Sequence, residues 1–118
     1  MQNIKFLSLL LSISFITVSC NKDNDPPVIT ITSPAEGAIL LRGQTYPLTG
    51  NVTDDTELAE IDAAGVKITT FDSKTSHVFT NFTLPIPSNA TVGNGTVTIT
   101  ATDKEGNKGT KTVTFKIQ

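Results

Sequence analysis

Five oxygen-bearing side chains, Asp25, Asp54, Asp55, Asp103 and Asn107, stand out as groups able to hold a cation. Calcium takes roughly six to eight oxygens from carboxylates, amide carbonyls and backbone, so a pole of the fold that gathered these residues would suit that ion. The same residues also build turns. Asp103 can accept hydrogen bonds from the amides of its own turn, with Gly106 or Asn107 at positive φ, and Asp54-Asp55 can cap the turn that follows them. A second set is His77, Phe79 and Asn81. Strict alternation places Val78, Thr80, Phe82 and Leu84 on one face and His77, Phe79, Asn81 and Thr83 on the other. With the first face in the core, Phe79 stands in solvent between an imidazole and an amide, as in a sugar or peptide site. A bulge between Phe79 and Phe82 would instead turn both rings inward. No catalytic residue is assigned. The sequence has no Gly-x-Ser-x-Gly, no His-Glu-x-x-His and no glycine-rich phosphate loop, and its single His excludes any plan that needs two imidazoles.

The remaining reactive group is a thiol, and its position matters more than its chemistry. Cys20 is the only Cys in 118 residues, which excludes an internal disulfide and a Cys-based zinc site. It follows an apolar run, Phe6–Val18, that is headed by Lys5 and followed by the polar Asn21-Lys22-Asp23. A membrane-spanning helix needs about 20 apolar residues, so this run is short for a span and has the pattern of a secretory signal over residues 1–19. The stretch Ile16-Thr17-Val18-Ser19-Cys20 resembles a bacterial lipobox, with small Ser19 before the Cys and Thr17 where an aliphatic residue is usual. That resemblance implies cleavage before Cys20 and its acylation, which makes the membrane the first expected partner. Two or three acyl chains hold a protein where one holds only marginally, at about 0.8 kcal/mol per buried methylene.

The segment Asn21-Lys22-Asp23-Asn24-Asp25-Pro26-Pro27 lacks apolar surface to bury and reads as a tether that spans roughly 23 Å at full extension. Lys22, Asp23 and Asp25 resemble the acidic export signal of surface lipoproteins in Bacteroidota, with Asn24 interrupting the acidic run. The resemblance implies display on the outer face of the outer membrane. A net charge of −2 lacks the basic footprint of a nucleic-acid binder.

From Val28 onward the pattern is that of strands. Thr occurs 20 times and recurs at every second position where Val97, Ile99 and Ala101 alternate with Thr96, Thr98, Thr100 and Thr102. Val113, Phe115 and Ile117 mirror that run, as do Ile29 and Ile31 near the start, and Tyr46, Leu48, Gly50 and Val52 share a face. Clusters of Gly, Pro, Asn and Asp separate the runs, which predicts an all-β fold of about seven strands in two packed antiparallel sheets. The stretch from Asp55 to Ala64 lacks the alternation and is the one candidate for a helical turn.

Three motifs then carry a family resemblance. Pro26–Gly37 (PPVITITSPAEG), Gly50–Asp54 (GNVTD) and Ala101–Asn107 (ATDKEGN) resemble bacterial immunoglobulin-like domains, and the whole chain is similar to small Bacteroidota lipoproteins with one such domain. Trp and the paired Cys of antibody-type domains are absent, and Val97 stands where a tyrosine corner would need Tyr. The resemblance implies a signal over 1–19, a lipidated tether over 20–27 and an immunoglobulin-like β-sandwich over 28–118. The function it implies is a surface-exposed, protein-binding or structural accessory module. The alternative is a glycan-binding module of a cell-surface polysaccharide-handling system.

Overall fold

A computed structural model describes residues 24–118. The signal segment, Cys20, Lys22 and Asp23 lie outside the described residues. Ten strand segments follow in chain order: β1 (Val28–Ser33), β2 (Ile39–Leu40), β3 (Thr45–Pro47), β4 (Thr49–Thr53), β5 (Leu58–Ala63), β6 (Val66–Ile68), β7 (Ser76–Val78), β8 (Thr83–Pro85), β9 (Gly93–Asp103) and β10 (Lys108–Ile117). They form a sheet ordered β1-β4-β7, a larger sheet ordered β2-β10-β9-β5-β6, and the small pair β3-β8. All ladders are antiparallel except β2 with β10, where Ile39 and Leu40 pair in parallel with Lys116 and Ile117. The fold is the expected all-β sandwich. Short segments such as β2, β3 and β8 raise the count above seven.

The period-two pattern explains the core. On β9 and β10, Val97, Ile99, Ala101, Val113 and Phe115 are buried, and they meet Val52 and Phe79 in one apolar cluster. The intervening Thr residues face out, where the Thr98 and Thr112 hydroxyls lie 3.2 Å apart across the ladder. Branched side chains on a pleated, half-buried surface account for the Thr excess. Leu48, fully buried, sits between β3 and β4 where the chain passes from one sheet to another, and its N–H donates to the Phe82 carbonyl at 2.9 Å.

Close approaches demand glycine at Gly50 and Gly95, among other positions. A Cβ on Gly50 would lie 2.0 Å from the Thr30 carbonyl oxygen of the facing strand, and Gly50 has φ +153°. A Cβ on Gly95 would meet the Phe115 ring at 2.5 Å, so the missing side chain makes the seat for that ring.

The helical-turn expectation for Asp55–Ala64 is corrected: this stretch holds β5, between β9 and β6 in the larger sheet. The register against β9 shifts between Leu58 and Glu60, so the buried positions fall at Leu58, Ile61 and Ala63 rather than at every second residue. One bulge changes which face each later residue takes, and that broke the alternation in the sequence.

Strand direction gives the sandwich two distinct ends. Residues Asp25–Val28, the turn after β4 and the β9–β10 turn share one end: Val28 pairs with Thr53, and the Lys104 N–H donates to the Glu57 carbonyl. The last residues of β10, the start of β9 and β2 share the other, where Gly93 pairs with Ile117. Pro27, the final residue of the expected tether, is buried against the first of these ends, and its carbonyl closes on Gly109.

Candidate functional site

At the end where the chain enters, three acidic residues line one cleft. Asp25, Asp54 and Asp55 border it with Pro26, Pro27, Val28 and Thr53, around a volume of about 560 Å³. The placement follows from the local sequence. Two prolines hold the entering chain extended, and pairing of Val28 with Thr53 brings it beside the residues that follow β4.

Asp54 is the best-held of the three, at 9% exposure. Its Oδ2 accepts from the Thr56 N–H at 3.2 Å, the Thr56 hydroxyl at 3.0 Å and the Glu57 N–H at 2.9 Å. This is the turn-capping role, in which a short carboxylate satisfies amides that no strand ladder reaches. Its Oδ1 is buried and accepts no hydrogen bond. Asp25 and Asp55 are exposed along the rim.

Asp103, at 2% exposure, builds the neighbouring turn. Its Oδ1 accepts from the N–H groups of Glu105 (2.9 Å) and Asn107 (2.8 Å), and its Oδ2 from the Asn107 side-chain amide at 2.9 Å. Gly106, at φ +87°, takes the positive-φ position of the turn, and Asn107 does not. Among the described residues no three His, Cys, Asp or Glu side chains form a ready-made metal cage. Asp103 and Asn107 therefore belong to the turn, while Asp25, Asp54 and Asp55 share the cleft. Asp103→Ala leaves two part-buried turn amides without an acceptor and is expected to cost about 2–3 kcal/mol, measured as a shift in the urea midpoint at unchanged slope.

The second predicted set is corrected. Phe79 is 4% exposed and part of the core, so it presents no ring to solvent, and Val78, at 51%, points outward instead. The Phe79 N–H donates to the Gly50 carbonyl at 3.0 Å, and Asn81 takes φ +56°, which breaks the alternation before Phe82. The inward turn of both rings is what the structure shows, with Phe79 and Phe82 edge-to-face at 5.9 Å. His77 lies half-buried between Phe71 and Phe79, with ring centroids 5.9 and 5.6 Å away. All five described aromatics, Tyr46, Phe71, Phe79, Phe82 and Phe115, are buried or half-buried.

Asp72 carries a role that alternation could not signal. Its Oδ2 accepts the Val78 N–H at 2.7 Å across six residues and lies 3.6 Å from His77 Nδ1. The carboxylate thereby occupies a backbone donor on the last strand of the smaller sheet. At the margin of the larger sheet, β6 is only three residues long and Lys67 pairs with Glu60 at 3.2 Å. Short, charged or side-chain-occupied margins discourage addition of a foreign strand.

The profile of a family described as a bacterial Ig domain matches residues 27–114. Among curated proteins no relative matches the chain. Among solved structures, one similar chain is that of the Bacteroides ovatus mixed-linkage glucan utilization locus protein SGBP-B in complex with a mixed-linkage heptasaccharide. The likeness is at 16% identity and a TM-score of 0.29, over 71% of this chain and 22% of that one. The chain thus spans about a fifth of that structure's length.

Proposed function

The chain belongs to the bacterial Ig domain family, and from that premise we propose that it is a surface-displayed lipoprotein whose Ig domain serves as a protein-binding or structural accessory module. The observation that carries this reading is the polarity of the sandwich. The chain enters at one end, through Asp25–Val28, where Val28 is itself 62% exposed, while three of the six exposed large aliphatics, Ile39 and Leu41 (57% and 49%) and Val92 (56%), stand toward the other. Exposed aliphatic groups gathered at one end of a small domain are suited to contact with another protein, whereas scattered ones are ordinary. The lipobox-like Ile16–Cys20 and the short acidic tether support an anchor on the entry side, which would leave the opposite end farthest from the lipid.

The buried polar groups support a non-catalytic role. Asp54 and Asp103 are engaged with amides of their own turns. A glycan-binding role no longer rests on Phe79, whose ring is in the core.

Two measurements test the reading. Cys20→Ala is expected to move the protein from the membrane fraction to the soluble fraction, and retention on membranes would remove the anchor from the proposal. Cross-linking on whole cells is expected to give a protein adduct with the wild type that is lost on Leu41→Asp and Ile39→Asp. An adduct unchanged by both substitutions would exclude this end as the contact surface.

A further inference from the structure

We propose that the outer face of the larger sheet, where β2 lies beside β10 at the end remote from chain entry, docks a protein segment in which carboxylates flank an apolar strip. This inference rests on the proposed contact surface and names the chemistry of its partner.

The strand register gathers the exposed aliphatic groups. Ile39 pairs with Lys116 in the parallel β2–β10 contact. Gln118 stands opposite Leu41, because its N–H donates to the Leu40 carbonyl at 2.9 Å and its carbonyl accepts the Arg42 N–H at 2.9 Å. Leu40 is buried, so alternation turns Ile39 and Leu41 to the outer face, where Lys116 lies exposed between Ile39 and Asn94 of β9. Val92 precedes the Gly93–Ile117 pair at the same end. An apolar strip held together by register differs from aliphatic residues scattered singly, which are ordinary on a protein surface.

The strip is also rigid. Every N–H of Leu41-Arg42-Gly43-Gln44 is engaged, in turn by the Tyr46 hydroxyl at 2.8 Å, the Gln118 carbonyl at 2.9 Å, the Ile86 carbonyl at 2.8 Å and the Leu41 carbonyl at 3.3 Å. Gly43, at φ +77°, takes the positive-φ position of the turn. None of these bonds needs leucine at position 41, whose side chain they leave exposed. A surface fixed before contact loses little conformational freedom on binding, which favours association through a small area.

Charge selects the partner. The segments that build this end, 35–46, 85–95 and 114–118, carry two cations, Arg42 and Lys116, and one acid, Glu36. The Glu36 carboxylate is engaged by the Thr114 N–H, with both oxygens at 3.2 Å. The turns at the entry end instead gather Asp54, Asp55, Glu57, Asp103 and Glu105. A protein of net charge −2 thus presents Arg42 and Lys116 beside its aliphatic strip. Carboxylates on the partner would meet these cations at the rim while apolar side chains cover Ile39 and Leu41. With the anchor on the entry side, another protein and not the chain's own membrane faces this end.

The test places the photoreactive residue p-benzoylphenylalanine in place of Asn94 in the full chain and irradiates whole cells. The expected product is an adduct with another protein, whose cross-linked peptide carries Asp or Glu within a few residues of the attachment point. Its yield should fall several-fold on Arg42→Glu or Lys116→Glu and in about 0.5 M NaCl, and stay unchanged on Lys104→Glu at the entry end. Leu41→Lys should retain more of the adduct than Leu41→Asp. An adduct lost on Leu41→Asp but indifferent to salt and to both charge reversals would overturn this inference and leave the proposed contact surface standing. An adduct with a lipid or with a second copy of the chain would overturn it as well. Absence of any adduct would remove the contact surface and this inference together. If the chain substituted at Asn94 does not fold, the same residue in place of Gln118 gives the same readings.

Discussion

Phe115→Ala is expected to destabilise the domain by about 3–5 kcal/mol, a large part of the roughly 5–15 kcal/mol that holds a domain of this size. The ring is 3% exposed and lies over Gly95, its register partner on β9, beside Ile117 Cδ1, so its removal leaves a cavity over a residue with no side chain of its own to refill it. Both strands are long and fully paired, which restricts collapse into the cavity. At about 4–8 °C per kcal/mol the thermal midpoint should fall by roughly 15 °C or more. A fall of only a few degrees would mean that the β9–β10 ladder relaxes far more readily than its pairing suggests. Phe115→Leu, which refills part of the seat, should recover a substantial share of the loss.

Gly50→Ala is expected to be of similar severity for a different reason. The added methyl would sit 2.0 Å from the Thr30 carbonyl oxygen and 2.9 Å from the Ile31 Cα, both backbone atoms of β1. Neither can rotate away as a side chain can, so β1 and β4 must separate where Ile31 pairs with Gly50. A strained φ adds about 1–3 kcal/mol, and the clash brings the total to about 3 kcal/mol or more. Gly37 supplies the contrast: its φ is +78° but a Cβ there meets nothing within 4 Å. Gly37→Ala should therefore cost only about 1 kcal/mol. Denaturant unfolding of the two variants side by side separates steric exclusion from backbone preference.

The features that sequence could reveal were those with an unbroken period. Val97, Ile99 and Ala101 face Val113 and Phe115 in the core because both strands run long enough for alternation to carry the assignment. Where the backbone adds or turns a residue, the pattern misleads. The bulge between Leu58 and Glu60 disguised β5 as a helical turn, and positive φ at Asn81 reversed the expected faces of Val78 and Phe79. In Ser76-His77-Val78-Phe79 each face offers one apolar residue, so composition alone cannot choose between them.

The acidic residues were legible as a set but not in their grouping. Asp103 and Asn107 close a turn within five residues of chain, which the local pattern anticipates. The meeting of Asp25 with Asp54 and Asp55 depends on β1–β4 pairing across nearly thirty residues, and no local spacing encodes it. Asp72 escaped notice for a similar reason: its bond to the Val78 amide crosses a loop that carries no periodic signal.

The placement of the chain's entry at one end and of Ile39 and Leu41 at the other also decides how the domain bears load. Tension applied between the entering segment and a contact at Ile39 and Leu41 would act along the strands. Antiparallel ladder bonds lie across the strand direction, so such a pull shears the β1–β4 bonds together instead of unzipping them one at a time. The parallel β2–β10 contact near Leu41 would be sheared in the same manner. A sandwich pulled from these two ends resists extension most strongly along its strands.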